Sequence, residues 1–130
     1  MTDTQDWDTL GALDPRVQFH LQEEAIAETM RLRPEPDEGA RLVFSGLVRD
    51  YNHSRSGVHS IEYHCYPEMA RTEGLRVLTE AAEKFSIRRV HCIHRIGRLQ
   101  LQETAIRLEI GSSHRLAALH ACEYIMDQIK

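Results

Sequence analysis

Apolar residues recur along this chain at spacings of two and of three to four, and each spacing predicts a different element. Ala40, Leu42, Phe44, Gly46 and Val48 alternate with Arg41, Val43, Ser45 and Leu47, the period of a half-buried strand. The alternation runs out in a polar loop, Arg49 to Gly57. A second strand, Val58 to Tyr66, sets Ile61, Tyr63 and Cys65 on one face. Pro67 stands where proline favours a helix start, and the helix runs to about Phe85 with Met69, Leu75, Leu78 and Ala82 as its buried stripe. Arg89 to Ile96 reads as a third strand, with Val90, Cys92, His94 and Ile96 on one side. Thr104 to Ile110 is a fourth, with Ile106, Leu108 and Ile110 facing in and Arg107 and Glu109 facing out. From about His114, Leu116, Leu119, Cys122, Ile125 or Met126, and Ile129 follow at helical steps.

Ahead of these, residues 1–15 carry little periodicity and read as a mobile arm. Val17 to Leu21 predicts a short strand and Glu23 to Arg31 a short helix. Arg33 to Gly39 is a polar connector whose two prolines forbid a continuing helix. The order predicts an α+β fold, and 130 residues fit one domain.

Hydrophobic residues at 42% and charged residues at 28% are ordinary for a globular chain. No window approaches the roughly 18 uninterrupted apolar residues of a membrane span, and the acidic N-terminus lacks an export pattern. A cytoplasmic protein is expected. The three cysteines, Cys65, Cys92 and Cys122, have no paired spacing, which suits a reducing compartment. A net charge of −4 argues against a broad nucleic-acid surface. The sixteen basic residues include only two lysines, Lys84 and Lys130, so each lysine can be weighed separately from the arginine forks.

Three places carry candidate chemistry. At Gly111-Ser112-Ser113-His114-Arg115 the fourth strand turns into the last helix, whose free N–H groups and dipole make a natural anion seat. Arg115 adds a fork donor and His114 a titratable group; the plainer alternative is that a serine caps the helix and its neighbours are solvated. Arg49 ends a strand beside a polar loop. Lys130 closes the last helix, where a lysine also simply complements the dipole. The histidines suggest no metal: His91 and His94 are three apart on a strand and point to opposite faces. No glycine-rich phosphate loop, G-x-S-x-G turn or C-x-x-C pair is present.

Five stretches then occur together in order: Phe44 to Asp50, Glu62 to Ala70, Ile93 to Gly97, Ser113 to Arg115, and Tyr124 to Lys130. In these the chain, over roughly residues 16–130, resembles the large, catalytic subunit of molybdopterin synthase. The resemblance implies an α/β hammerhead-like fold of antiparallel strands packed with two main helices. It implies a sulfurtransferase that converts cyclic pyranopterin monophosphate into molybdopterin by installing a dithiolene. Sulfur would arrive as a thiocarboxylate on the C-terminal Gly-Gly of a small ubiquitin-like subunit, within a heterotetramer built on a homodimer of large subunits. No cofactor and no metal site are implied, because the metal enters the product later. Matched by motif, Leu47, Val48, Arg49, His114, Arg115 and Lys130 would bind substrate, with Arg49 and Lys130 catalytic.

Two departures qualify this. The family usually continues beyond the Lys130 position with a proline- and aromatic-containing segment and a second functional lysine. This sequence stops there, so the alternative is a shortened, non-catalytic homologue that serves as a binding or scaffold subunit for the sulfur carrier. Also, Leu99-Gln100-Leu101-Gln102-Glu103 stands where the family often has a proline-glycine turn, which is expected to alter a loop and not the site. A last expectation is geometric. His114 and Lys130 lie sixteen residues apart on one helix, about 24 Å. A pterin phosphate cannot touch both, and a two-fold dimer with shared pockets resolves the conflict.

Overall fold

The computed structural model describes residues 16–29, 34–52, 55–56 and 60–129. Along them run β1 (Val17–Gln22), β2 (Ala40–Leu47), β3 (Tyr51–Asn52), β4 (Arg55–Ser56), β5 (Ser60–Tyr63), α1 (Pro67–Phe85), β6 (Arg89–Arg95), β7 (Gly97–Gln100), β8 (Thr104–Ser112) and α2 (Arg115–Ile129). Four strands form one sheet in the order β1-β6-β8-β2. β1 joins β6 in parallel, and the other pairings are antiparallel. The short pairs β3–β4 and β5–β7 stand apart as two-stranded sheets. The α+β class is as expected, and the strands at 17, 40, 89 and 104 begin where their alternation begins.

Both helices cover one face of the main sheet. Val90 and Cys92 of β6 and Ile106, Leu108 and Ile110 of β8 point into that layer, where they meet Val77, Leu78 and Ala81 of α1 and Ala118, Ala121 and Ile125 of α2. Burial of this apolar surface is the main stabilising term. α1 starts at Pro67, without a side-chain cap from Tyr66, and stops at Ser86, which takes up a left-handed φ of 55°. Its buried face differs from the expected stripe. Met69 and Leu75 are exposed, Ala82 is half-buried, and Gly74, Val77, Leu78 and Ala81 are the buried set. The cause is close approach: a Cβ on Gly74 would come within 2.6 Å of the Phe19 ring in β1. α1 therefore rotates its small residues onto the sheet, and a reading weighted by side-chain bulk misses that. Leu116 and Leu119 of α2 are likewise exposed.

The opposite face of the sheet departs further from expectation. Arg107 and Glu109 do point away from the helices, but they are buried, at 4% and 0% exposure. Described parts of the segment between β1 and β2 tie onto this face and exclude water from it. Arg95 Nη2 donates to the Glu23 carbonyl at 2.7 Å and Arg107 Nε to Glu28 at 3.1 Å. Arg89 makes a two-pronged bond to Glu38, 2.5 Å on each arm, and Arg107 reaches Glu109 at 2.8 Å. Gly111 makes room for this, since a Cβ there would overlap the Glu38 carboxylate. Residues 23–29 are not helical, against the expected helix from Glu23 to Arg31. Their carboxylates and carbonyls serve the sheet's arginines instead. The expected arm, residues 1–15, lies outside the described residues.

Candidate functional site

Strand register decides where the expected site residues fall. Ala40 pairs with Ser112 at one end of the β2–β8 ribbon and Leu47 pairs with Thr104 at the other. His114 and Arg115 follow Ser112, whereas Val48 and Arg49 follow Leu47. The eight residues of β2 separate these two groups by about 25 Å. α2 is one unbroken helix of 15 residues, about 22 Å long, that returns from the first end to the second. Its last described residues, Gln128 and Ile129, line a cavity with Leu21 and His94. These are in register with Ile106 and hence with Gly46, near the Arg49 end. Lys130 lies outside the described residues. Within one chain, Arg49 and the His114–Arg115 pair are therefore not brought together.

At the Arg49 end the backbone is tightly held. Val48 is 2% exposed and packs with Leu99 and Ala105 in a small second core flanked by Ile61, Tyr63 and Leu101. Its N–H donates to the Glu103 carbonyl at 3.0 Å, and its carbonyl accepts from Gln102 N–H at 2.7 Å. A register shift between Gly46 and Leu47 lets the strand leave the ladder here. Leu47 is half exposed and Arg49 exposed. The partner in both backbone bonds is the tight turn joining β7 to β8, closed by Glu103 N–H donating to Gln100 O at 3.2 Å. Gln102 takes a φ of +70° in it. The Glu103 carboxylate accepts from Gln100 N–H at 2.7 Å and pairs with Arg95 at 3.4 Å. The Gln100 N–H, and behind it Arg95, hold that carboxyl below the usual range. The segment expected to change only a loop thus grips the strand end carrying Arg49. The absence of glycine or proline at 99–103 left no signal for this turn, and β7 was missed with it.

At the other end, His114 and Arg115 are exposed at the start of α2. Ser112 is in β8 and its hydroxyl donates to the His114 carbonyl at 2.5 Å, so it shapes the turn rather than capping the helix. His114 and Ser113 line a crevice with Arg16, Ser86 and Arg88, and Arg88 pairs with Asp37. Arg16 and Arg88 add positive charge that the sequence pattern did not flag.

A third feature is the apolar cavity of about 380 Å3 on the helix side, bounded by Phe19, Tyr63, Gly74, Val77 and Ile129. His94 stands in its wall, edge-on to Tyr63, with Nδ1–H donating to the Arg95 carbonyl at 2.7 Å. Burial pushes the Cys92 thiol up to about 12, which makes it an inert core residue; Cys65, by contrast, is exposed. Among the described residues no group of His, Cys, Asp and Glu could hold a metal ion, and no helix is long and apolar enough to cross a membrane.

Known proteins are similar to this chain in sequence and in fold. The sequence profile of the MoaE protein family matches residues 18–130. The molybdopterin synthase catalytic subunit of Pyrococcus abyssi is 36% identical over 105 residues, covering 81% of this chain and 70% of that protein. The Vibrio cholerae subunit of the same name is 32% identical over 119 residues, covering 91% and 79%. That of Aspergillus clavatus is 36% identical over 95 residues, 73% of this chain, which spans only about half of that relative's length (48%). Among solved structures, molybdopterin synthase from Staphylococcus aureus superposes with a TM-score of 0.72 at 28% identity, covering 84% of this chain and 80% of that one. A complex of subunits 1 and 2 of the molybdopterin-converting factor from Helicobacter pylori shares the fold, with a TM-score of 0.59 at 18% identity over 72% and 60% of the two chains. The chain belongs to the MoaE family, that of the molybdopterin synthase catalytic subunits.

Proposed function

We propose that this chain catalyses sulfur transfer from the thiocarboxylated Gly-Gly terminus of a small ubiquitin-like subunit to cyclic pyranopterin monophosphate, as a cytoplasmic enzyme. Each transfer forms a carbon–sulfur bond on the pterin side chain as a carbon–oxygen bond there breaks. It also cleaves the acyl–sulfur bond of the carrier, whose acyl group passes to water, directly or by way of Lys130. Two transfers complete the dithiolene. Arg49, His114 and Arg115 hold the anionic substrate, with exposed Leu47 beside Arg49 and buried Val48 holding the backbone behind them. Lys130 polarises the acyl carbonyl or accepts the acyl group. The reading is carried by one observation above all. Among the described residues that match the family's motif, Arg49, His114 and Arg115 sit exposed at element ends, outside both apolar clusters. The small-subunit partner is supported by the Helicobacter pylori complex, which pairs two subunits of the related factor.

The gap of about 25 Å between the basic ends supports a two-fold dimer in which each pocket draws on both chains. The edge strand β2 exposes Val43, Phe44 and Leu47, and α2, which packs on β2 and β8, exposes Leu116 and Leu119. An edge strand bearing apolar side chains calls for a cover. A second copy related by a two-fold axis through this flank sets Arg49 of one chain toward His114 and Arg115 of its partner.

The test uses the purified chain, the thiocarboxylated carrier and the pterin phosphate. Arg49→Ala and Arg115→Ala are expected to abolish most dithiolene formation while changing stability by under about 1 kcal/mol, as exposed substitutions do. A carrier lacking its last two glycines is expected to lose binding in calorimetry, since a tail without side chains can bring its backbone close to the protein surface. Activity that falls only in proportion to lost folded protein, or equal binding of the trimmed carrier, refutes the reading.

A further inference from the structure

The turn between β7 and β8 does more than connect two strands. It contacts the one chain segment that leaves the sheet toward Arg49, and it does so through both backbone groups of Val48: Val48 N–H to Glu103 O at 3.0 Å and Gln102 N–H to Val48 O at 2.7 Å. Neither peptide plane that flanks such a doubly bonded residue can rotate without losing a bond. Its side chain, 2% exposed among Leu99 and Ala105, removes the remaining freedom. The turn is in turn anchored by one side chain. Glu103 accepts from Gln100 N–H at 2.7 Å across its mouth and reaches Arg95 of β6 at 3.4 Å. Arg95 has a 9% exposed side chain and is itself fixed to the Glu23 carbonyl at 2.7 Å. A continuous mechanical path thus runs from the second strand of the sheet, through Glu103 and the turn, to the peptide that precedes Arg49.

We infer that Glu103 is a positioning residue for the sulfur-transfer reaction, setting the direction in which Arg49 leaves β2 through the Gln102–Val48–Glu103 backbone clamp. The assignment rests on Arg49 acting at the site, as proposed above. Glu103 itself needs no contact with substrate. Loss of its carboxylate frees the mouth of the turn and lets the Arg49 guanidinium wander, and a misplacement near 1 Å can lower turnover by about a hundredfold.

A double-mutant cycle separates this from a merely structural role. Glu103→Ala is expected to lower kcat for dithiolene formation by roughly ten- to a hundredfold. Glu103→Gln keeps an acceptor for Gln100 N–H and is expected to recover most of that loss. In an Arg49→Ala background the same Glu103→Ala change is expected to have almost no further effect, because the residue it positions is gone. Amide hydrogen exchange at Val48 and Gln102, read in the same proteins without substrate, is expected to accelerate in Glu103→Ala and not in Arg49→Ala. Equal losses from Glu103→Ala with and without Arg49 overturn the positioning role, as does unchanged amide exchange. If Arg49→Ala alone leaves activity intact, the site reading fails, while the exchange data still decide whether Glu103 holds the clamp.

Discussion

Glu109 shows how far a single side chain can depart from what its neighbours in sequence suggest. In the run Ile106-Arg107-Leu108-Glu109-Ile110, alternation places the two charges outward, and the direction is right. Their burial comes from residues up to about eighty positions away: Glu28 bonds Arg107, and Glu38 bonds Arg89. No local period could announce this. Glu109 lies between two buried guanidiniums, 2.8 Å from Arg107 Nη1 and 3.7 Å from Arg89 Nη1. Removing one member of a buried charge network strands the others, at a cost of about 3–5 kcal/mol. Glu109→Ala is therefore expected to shift the urea midpoint strongly downward, whereas Glu73→Ala, which breaks an exposed pair with Arg76, barely moves it. A small effect for Glu109→Ala shows that water reaches this face. The exposure of Arg49, His114 and Arg115 was legible for the opposite reason, because it follows from where β2 and β8 end and α2 begins.

Among the elements, legibility followed length and contrast. α1 ran from Pro67 to Phe85 as its proline and helical spacing indicated, although Met69 and Leu75 of the expected stripe are exposed, and β2 followed its alternation from Ala40 to Leu47. β7 escaped notice because its four residues, Gly97-Arg98-Leu99-Gln100, offer one buried apolar position, and the turn after it lacks glycine. A tight turn with positive φ at its third residue ordinarily takes glycine there. Gln102 at φ +70° carries the steric penalty of a Cβ in the left-handed region. Gln102→Gly is expected to stabilise the protein by about 0.5–1 kcal/mol, the relief of strain exceeding the added chain entropy. Thermal melts check this, and a lowered Tm shows that the Gln102 side chain contributes more than its backbone costs. Because the turn grips Val48, the substitution is also expected to leave the Val48 and Gln102 bonds intact.

At the scale of the whole molecule, the sheet is a two-sided device. One face buries an apolar layer under two helices, and the other buries arginines held by described parts of the β1–β2 segment. Neither face is left open, and the residues of the proposed site lie at the two ends of the β2–β8 ribbon. Helix length alone already implied that His114 and the helix C-terminus are too far apart for one small substrate. The fold adds the direction, because the unbroken α2 ends near the Arg49 end of the ribbon while His114 and Arg115 stay at the other. Complementation reads this directly. Arg49→Ala and Arg115→Ala chains, each inactive alone, are mixed under conditions of proven subunit exchange. In a two-fold dimer with shared pockets, one pocket of each mixed dimer combines both lesions and the other has none. About half of the dimers are mixed at equal input, so activity should return to about a quarter of the wild-type pockets. If Arg49 and Arg115 instead serve one pocket within one chain, every pocket keeps a lesion and the mixture stays as inactive as its parents, which refutes the shared site while leaving the fold and the family untouched.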